Sequence, residues 1–148
     1  MIHSQQSKQG MQLERIQWCD EFNVGVKIID EQHKRFVGIL NNLSDSISGT
    51  KPDADEVYSV IIELIDYTST HFVTEEELMK VYKWENYREH FKIHNRFVEK
   101  IGEYNKNYHH VSQAELEDIY LFLKSWLLNH ISVEDRKLAS FLNSEGLK

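Results

Sequence analysis

The segment YREHFKIHNRFVEKIGEYNKNY, residues 87–108, decides the fold class of this chain. Its apolar and aromatic residues recur, together with two histidines, at strict intervals of three or four, which is the spacing of one face of an α-helix. Core positions of helices normally carry hydrocarbon side chains, so the histidines indicate a core helix with an additional polar role. The residues of this stripe are Tyr87, His90, His94, Phe97, Ile101, Tyr104 and Tyr108.

Three further segments show the same helical period, at residues 33–47, 57–79 and 116–130. The chain has one proline and six glycines, which leaves room for long uninterrupted helices. No strand-like alternation of useful length appears. Four helices joined by short loops predict an all-α fold, an antiparallel up-down-up-down four-helix bundle.

The residues between the stripes predict where the helices begin. Asp30 has the residue type of an N-cap, so we expect the first helix to start there and residues 18–29 to be extended. Asp53 or Asp55 caps the second helix. Ser112, with a glutamate three residues later, fits a capping box for the fourth.

The domain organisation follows from the same pattern. Residues 1–17 are polar and aperiodic and are expected to form a loose N-terminal arm, while residues 18–148 form the bundle domain. A short amphipathic piece around Leu138 and Leu142 ends the chain. The stripes can be buried inside one bundle, so we expect a monomer.

Composition excludes several classes of function. The 148 residues include 24 acidic and 17 basic side chains, a net charge of −7 without a basic cluster, which argues against binding to nucleic acid or anionic membranes. No apolar stretch approaches the ~20 residues of a membrane span, and the N-terminus lacks a signal-peptide core. The single cysteine excludes an internal disulfide and a cysteine-based zinc site. We expect a cytoplasmic protein.

Histidines continue the core stripes of all four helices. In an antiparallel bundle, the start of the first and third helices lies level with the end of the second and fourth. The five core histidines and one core glutamate therefore converge at one end of the bundle, where burying them without partners would cost several kcal/mol. A bound metal would offset that cost, and the groups that converge are His33, His71, Glu75, His90, His94 and His130.

These residues resemble the hemerythrin family, in particular its single-domain prokaryotic members. The resemblance covers residues 18–142. The matching segments are Val24-Gly25-Val26 with Ile29-Asp30-Glu31-Gln32-His33, then His71-Phe72-Val73-Thr74-Glu75-Glu76, then His90-x-x-x-His94, and finally Trp126 with His130-Ile131 and Asp135.

The resemblance implies a cofactor of two non-haem iron ions, Fe²⁺ or Fe³⁺, with an oxo or hydroxo bridge. His90, His94 and His130 would bind one iron. His33 and His71 would bind the other, which keeps an open position for O2. Seven ligands exceed what one tetrahedral zinc site takes, so structural zinc is a poor alternative.

Two carboxylates, Glu75 and Asp135, would bridge the irons in the family pattern. Helix geometry alone favours Glu134 over Asp135. On an unbroken α-helix, Glu134 is four residues after His130 and faces the same way, whereas Asp135 is five residues after it and is rotated by about 140° around the helix axis. The family pattern requires the helix to break or change course after His130.

An apolar wall around the open position would hinder water and anions from displacing bound O2. Helical neighbours of the ligand histidines are the candidates for this pocket, although ordinary core packing explains them equally well. They are Phe36, Phe72, Trp126, Leu127 and Ile131.

The function implied by the resemblance is reversible O2 binding, for storage or for delivery to oxygen-requiring enzymes. One alternative is an O2 or redox sensor that signals through a separate partner. Another is a di-iron peroxidase or a nitric-oxide-handling enzyme, but the sequence shows no extra catalytic acid or base beside the ligands, so we do not expect an enzyme.

Overall fold

The computed structural model describes residues 14–48, 53–107 and 112–148 of the chain. Within these residues the structure is helical and contains no strand. A 3-10 turn precedes the bundle and a π-helical turn joins its fourth helix to a short fifth one. In chain order the elements are the 3-10 turn Asp20–Phe22, α1 (Lys27–Ile47), α2 (Ala54–Val81), α3 (Tyr87–Asn107), α4 (Gln113–Asn129), the π turn His130–Asp135 and α5 (Arg136–Ser144).

Helices α1 to α4 form the predicted four-helix bundle. Helix α2 packs against α1 and α3, and α4 packs against α1. Their apolar stripes meet in one continuous core that includes Phe36, Leu64, Phe97 and Leu123. Among the described residues, no helix is long and apolar enough to span a membrane.

The start of α1 differs from the prediction. The helix begins at Lys27, three residues before Asp30, and Val26 occupies the N-cap without a side-chain cap. The Asp30 carboxylate instead reaches back and accepts hydrogen bonds from the backbone N–H groups of Val24 (2.7 Å) and Gly25 (3.3 Å). The residue type of Asp30 suggested an N-cap. The side chain instead lies in the first turn of the helix and binds the two N–H groups that precede it.

Other helix starts follow the sequence. Asp53 caps α2 and accepts a hydrogen bond from the N–H of Asp55, which decides between the two candidates. Ser112 caps α4 through the N–H of Glu115, as a capping box does. Tyr108, the last residue of the α3 stripe, lies outside the described residues.

The described part of the predicted arm lies against the bundle. Ile16 is buried, and its backbone N–H and C=O both bond to the side chain of Asn41, at 2.7 and 2.9 Å. The Tyr120 hydroxyl donates to the carbonyl of Glu14 at 2.5 Å. Residues 1–13 of the arm lie outside the described residues, so the boundary at residue 17 stays a prediction.

Replacement of Gly25 tests how tightly the segment before α1 is docked. Gly25 has φ +95°, and an added Cβ would lie 3.0 Å from Oδ1 of Asn143, whose amide also donates to the Gly25 carbonyl. We expect Gly25→Ala to lower the free energy of unfolding by about 1–3 kcal/mol in chemical denaturation. The exposed helical Gly38 has open space around it and is the matched control: Gly38→Ala should stabilise by about 0.5–1 kcal/mol. Equal effects would contradict this account.

Candidate metal centre

Seven polar side chains meet at one end of the bundle, and each is at most 1% exposed. Helices α1, α2 and α3 and the π turn that follows α4 contribute them. The structure therefore brings together every residue that the sequence analysis named as a metal ligand. They are His33 from α1, His71 and Glu75 from α2, His90 and His94 from α3, and His130 and Asp135 from the π turn.

The carboxylate of Glu75 faces four of the imidazoles. Its Oε1 lies 3.0 Å from Nε2 of His94 and 3.1 Å from Nε2 of His90. The same oxygen is 3.3 Å from Nε2 of His71 and 3.5 Å from Nε2 of His130. One oxygen of Glu75 therefore reaches imidazoles from α2, α3 and the π turn.

The carboxylate of Asp135 also faces four of the imidazoles. Its Oδ2 lies 2.5 Å from Nε2 of His33, 2.8 Å from Nε2 of His130 and 3.2 Å from Nε2 of His71. Its Oδ1 is 3.0 Å from Nε2 of His90. Both carboxylates thus contact His71 from α2 as well as His90 from α3, which is the arrangement that two bridging ligands require.

The π turn explains why Asp135 rather than Glu134 enters the cluster. In a π turn, backbone hydrogen bonds join residues five apart, so Asp135 lies over His130 as an i+4 residue would in an α-helix. Glu134 is displaced outward, is 20% exposed and lies 4.0 Å from the Lys137 ammonium. The predicted change of course after His130 is therefore a change of winding without a break.

The donor set fits two cations. Two groups of five buried ligand atoms each lie within 4.8 Å of one another: one contains His33 and His71, the other His90 and His94, and both include the two carboxylates and His130. Within the described residues, Oε2 of Glu75 has no hydrogen-bond partner, although it is buried. Imidazole nitrogen with carboxylate oxygen suits iron, and a bridged pair of cations would satisfy both carboxylates.

Comparison with known proteins assigns the family. The family described as Hemerythrin HHE cation binding domain matches residues 24–142. This chain belongs to the hemerythrin family. Its cofactor is a pair of non-haem iron ions, and its function is O2 binding at that pair.

Individual hemerythrins are similar over most of the chain. The bacteriohemerythrin of Pseudomonas aeruginosa strain LESB58 is 37% identical over 118 residues, 80% of this chain and 75% of the relative. The myohemerythrin of Theromyzon tessulatum is 34% identical over 124 residues, 84% and 91% of the two chains. A crystal structure of wild-type hemerythrin superposes with a TM-score of 0.75 at 27% identity, and covers 87% of this chain and 98% of that one.

Electrostatics in the hemerythrin site hold the carboxylates ionised. Burial and the neighbouring Asp135 raise the pKa of Glu75, but His71 and hydrogen bonds from His130 and His90 outweigh them and lower it. Burial likewise raises the pKa of Asp135, and the surrounding imidazoles, His130 first, bring it well below its usual range. Both groups are therefore anionic and ready to bind cations at neutral pH.

Four of the imidazoles divide into two pairs by the direction of their pKa shift. Burial lowers the pKa of His90 and His130, but hydrogen bonds and charge interactions with the two carboxylates raise the net values to about 10 and about 9. For His33 and His94, burial dominates and the pKa is lowered. Without metal, two of the ligand imidazoles therefore carry a proton that a cation must displace.

Two further contacts were not predicted from the sequence. Gln32 accepts a hydrogen bond at 2.7 Å from Nδ1 of His71, and Glu76 lies 3.2 Å from Nδ1 of His94. Glu76 and Glu77 follow Glu75 in sequence but lie off the core face of the helical pattern, which predicts solvated side chains. Glu77 is exposed, but Glu76 is not free in solvent. Both residues adjoin a ligand in sequence, and that adjacency is the signal that could have found them.

Aromatic rings stack directly on three ligand imidazoles. Phe72 stacks on His94 with ring centroids 3.7 Å apart and planes 5° apart. Trp126 stacks on His130 at 4.3 Å and 17°. Tyr67, which the sequence analysis did not name, stacks on His71 at 5.2 Å and 15°. It lies one helical turn before that histidine, so helix period could have identified it.

The other predicted pocket residues lie in the core near these rings. Phe36 is one ring further from the ligands, since it stacks on Tyr67 at 4.6 Å and 9°. Leu127 and Ile131 are buried on either side of His130 in the chain. A cavity of about 420 Å³ between α3 and α4 reaches Trp126 and His130 from the surface.

Exchange of single carboxylates tests the geometry of the π turn. We expect Asp135→Asn to lose bound iron, because an amide is a poor bridge between two cations. Glu134→Gln should retain the wild-type iron content, because Glu134 faces away from the cluster. Metal analysis after desalting distinguishes them, with circular dichroism to establish that both variants fold. Iron loss from Glu134→Gln alone would contradict the assignment.

Metal binding should be coupled to proton release. Metal ligation requires neutral imidazole, whereas the pKa values of about 10 for His90 and about 9 for His130 keep both protonated in the iron-free protein at pH 7. Loading both positions should therefore release two protons per chain, and the metal affinity should rise with pH up to about 10, where both imidazoles have lost their protons. Calorimetry in two buffers of different ionisation enthalpy measures the number. Release of no protons would show that the imidazoles are already neutral.

Proposed function

We propose that this chain binds O2 reversibly and serves to store O2 or to deliver it to oxygen-requiring enzymes. The observation that carries the proposal is the pair of buried ligand groups that share both carboxylates. We assign His90, His94 and His130 to one iron and His33 and His71 to the other, in agreement with the family resemblance. The second iron then has fewer protein ligands and an open position.

Glu75 and Asp135 are proposed to bridge the irons together with an oxo or hydroxo group. Both are held ionised by the imidazoles around them, so they can bind without first losing a proton. When bound, the iron pair supplies electrons that O2 takes up and returns. The residues of the chain fix the two positions and exclude competing ligands.

The ligand charges favour reversibility over activation of O2. Five neutral imidazoles contribute no charge, and only two carboxylates face the metals, so a reduced iron pair keeps a net positive charge and resists further oxidation. Apolar walls keep water and anions away from the open position. We assign that role to Phe36, Phe72, Trp126, Leu127 and Ile131.

A carrier is favoured over an enzyme by what surrounds the ligands. Among the described residues, every buried carboxyl and imidazole group belongs to the proposed ligand set. The neighbouring Tyr67 is buried, which raises its pKa well above the usual value and keeps the phenol protonated at neutral pH. Outside the ligand set, the described part of the chain therefore holds no fully buried carboxyl or imidazole group that could act as a catalytic acid or base.

We also propose an oligomeric state, a cellular compartment and a class of client for this protein. The apolar stripes are buried within one bundle, which supports a monomer. Cys19 is a free, exposed thiol, which fits a reducing compartment such as the cytoplasm. The client would be an enzyme that consumes O2.

An optical spectrum tests the proposal directly. Iron-loaded protein is reduced without oxygen, exposed to air and then purged with argon over several cycles. We expect visible absorption that appears with air, fades under argon and returns. Irreversible oxidation on first contact with air would favour a sensor or an enzyme instead.

Truncation of Leu127 tests the proposed wall. Leu127→Ala leaves space for water beside His130, so autoxidation in air should become several-fold faster. The matched control is Leu121→Ala on the same helix, because Leu121 is 50% exposed and Leu127 is fully buried. Leu127→Ala should also lower the free energy of unfolding by about 2–5 kcal/mol, so the autoxidation rate is measured well below the melting temperature. An unchanged rate would remove Leu127 from the wall.

A further inference from the structure

Two of the ligand histidines are held from behind by side chains of different charge. Nδ1 of His71 lies 2.7 Å from Oε1 of Gln32, and Nδ1 of His94 lies 3.2 Å from Oε2 of Glu76. These histidines belong to different ligand groups of the site. One metal position is therefore backed by a neutral amide and the other by a carboxylate.

The direction of both hydrogen bonds follows from the site. In His71 and His94 alike, Nε2 faces the carboxylates of the cluster, at 3.2 Å from Asp135 and 3.0 Å from Glu75. When Nε2 binds a metal, the ring proton must be on Nδ1. Nδ1–H therefore donates to the Gln32 oxygen in one case and to the Glu76 carboxylate in the other.

The amide of Gln32 and the ring of His94 are both held in place. The amide nitrogen of Gln32 donates to Oγ1 of Thr74 at 3.1 Å, and that hydroxyl donates to the Thr70 carbonyl at 2.7 Å, so the oxygen of Gln32 is the atom turned toward His71. On the other side, Glu76 is only 21% exposed, and Phe72 stacks on the His94 ring and fixes its plane.

A hydrogen bond to an ionised acceptor changes the donor strength of a ligand histidine more than a hydrogen bond to a neutral acceptor does. A hydrogen bond to a carboxylate draws the Nδ1 proton away from the ring and makes Nε2 a stronger donor, which stabilises the higher charge of Fe³⁺. An amide oxygen has a weaker effect. The two metal positions should therefore differ in how readily they hold Fe³⁺, although both present imidazoles and the same two carboxylates.

We propose that Gln32 and Glu76 are positioning residues that set the redox balance of the site through His71 and His94. Glu76 favours Fe³⁺ at the His94 position. Gln32 limits that preference at the His71 position, where O2 is proposed to bind, so that O2 is released again and autoxidation stays slow. This inference rests on the ligand assignment proposed above.

Two nearly isosteric exchanges, Glu76→Gln and Gln32→Glu, should change the site in opposite directions. Glu76→Gln should raise the reduction potential of the iron pair, weaken O2 binding and slow autoxidation. Gln32→Glu should lower the potential, tighten O2 binding and speed autoxidation. We expect changes on the order of 10-fold in the rate and in the O2 affinity. Potentiometric titration and O2 equilibrium curves measure them.

The controls separate this effect from total charge and from ring orientation. Glu77→Gln removes the same charge from the exposed neighbouring residue and should leave the potential at the wild-type value. Zn²⁺ titration of the iron-free protein gives a second measurement, with tighter binding for Gln32→Glu and weaker binding for Glu76→Gln. If the two acceptors only orient the rings, both exchanges would weaken Zn²⁺ binding.

The inference is overturned if both exchanges shift the potential in the same direction, or if both leave it within error of Glu77→Gln. Those outcomes are distinct from failure of the proposed function. If the wild-type protein retains no iron pair or shows no reversible O2 spectrum, the ligand assignment falls before the variants are compared.

Discussion

Burial of two carboxylates among five imidazoles is the constraint on which the rest of the structure depends. Glu75 and Asp135 are fully buried, and an isolated ionised carboxylate in a protein core is strongly unfavourable. Imidazoles from α1, α2, α3 and the π turn surround these two groups and hold them ionised. This end of the bundle is thus organised around two buried negative charges, which bound cations would balance. The register of the helices brings the histidines level with these charges, and aromatic rings stack behind three of the histidines.

The π turn shows how local winding serves this constraint. A regular α-helix would direct Glu134 toward the cluster and Asp135 away from it. The wider winding of the π turn directs Asp135 toward the cluster and Glu134 away from it, and the chain continues into α5 without a break. The π turn therefore supplies both a histidine and a carboxylate, His130 and Asp135, to the cluster.

The sequence predicts the fold and the composition of the cluster because both depend on period and register. Helical spacing placed five histidines and Glu75 on core faces, and antiparallel order placed them level. The predicted start of α1 was wrong because Asp30 lies inside the first turn and binds the backbone N–H groups of Val24 and Gly25, which precede the helix. Gln32 and Glu76 were missed because their positions do not face the core, and only side-chain reach brings them to the ligands. Asp135 could be named only through the family resemblance, since the helix period alone favours its neighbour.

The account is tested most directly by a crystal structure of the iron-loaded protein with anomalous data collected at the iron edge. We predict two iron peaks per chain, both in contact with Glu75 and Asp135, with three histidines on one and His33 and His71 on the other. A single iron peak, or a ligand contact from Glu134 in place of Asp135, would contradict it.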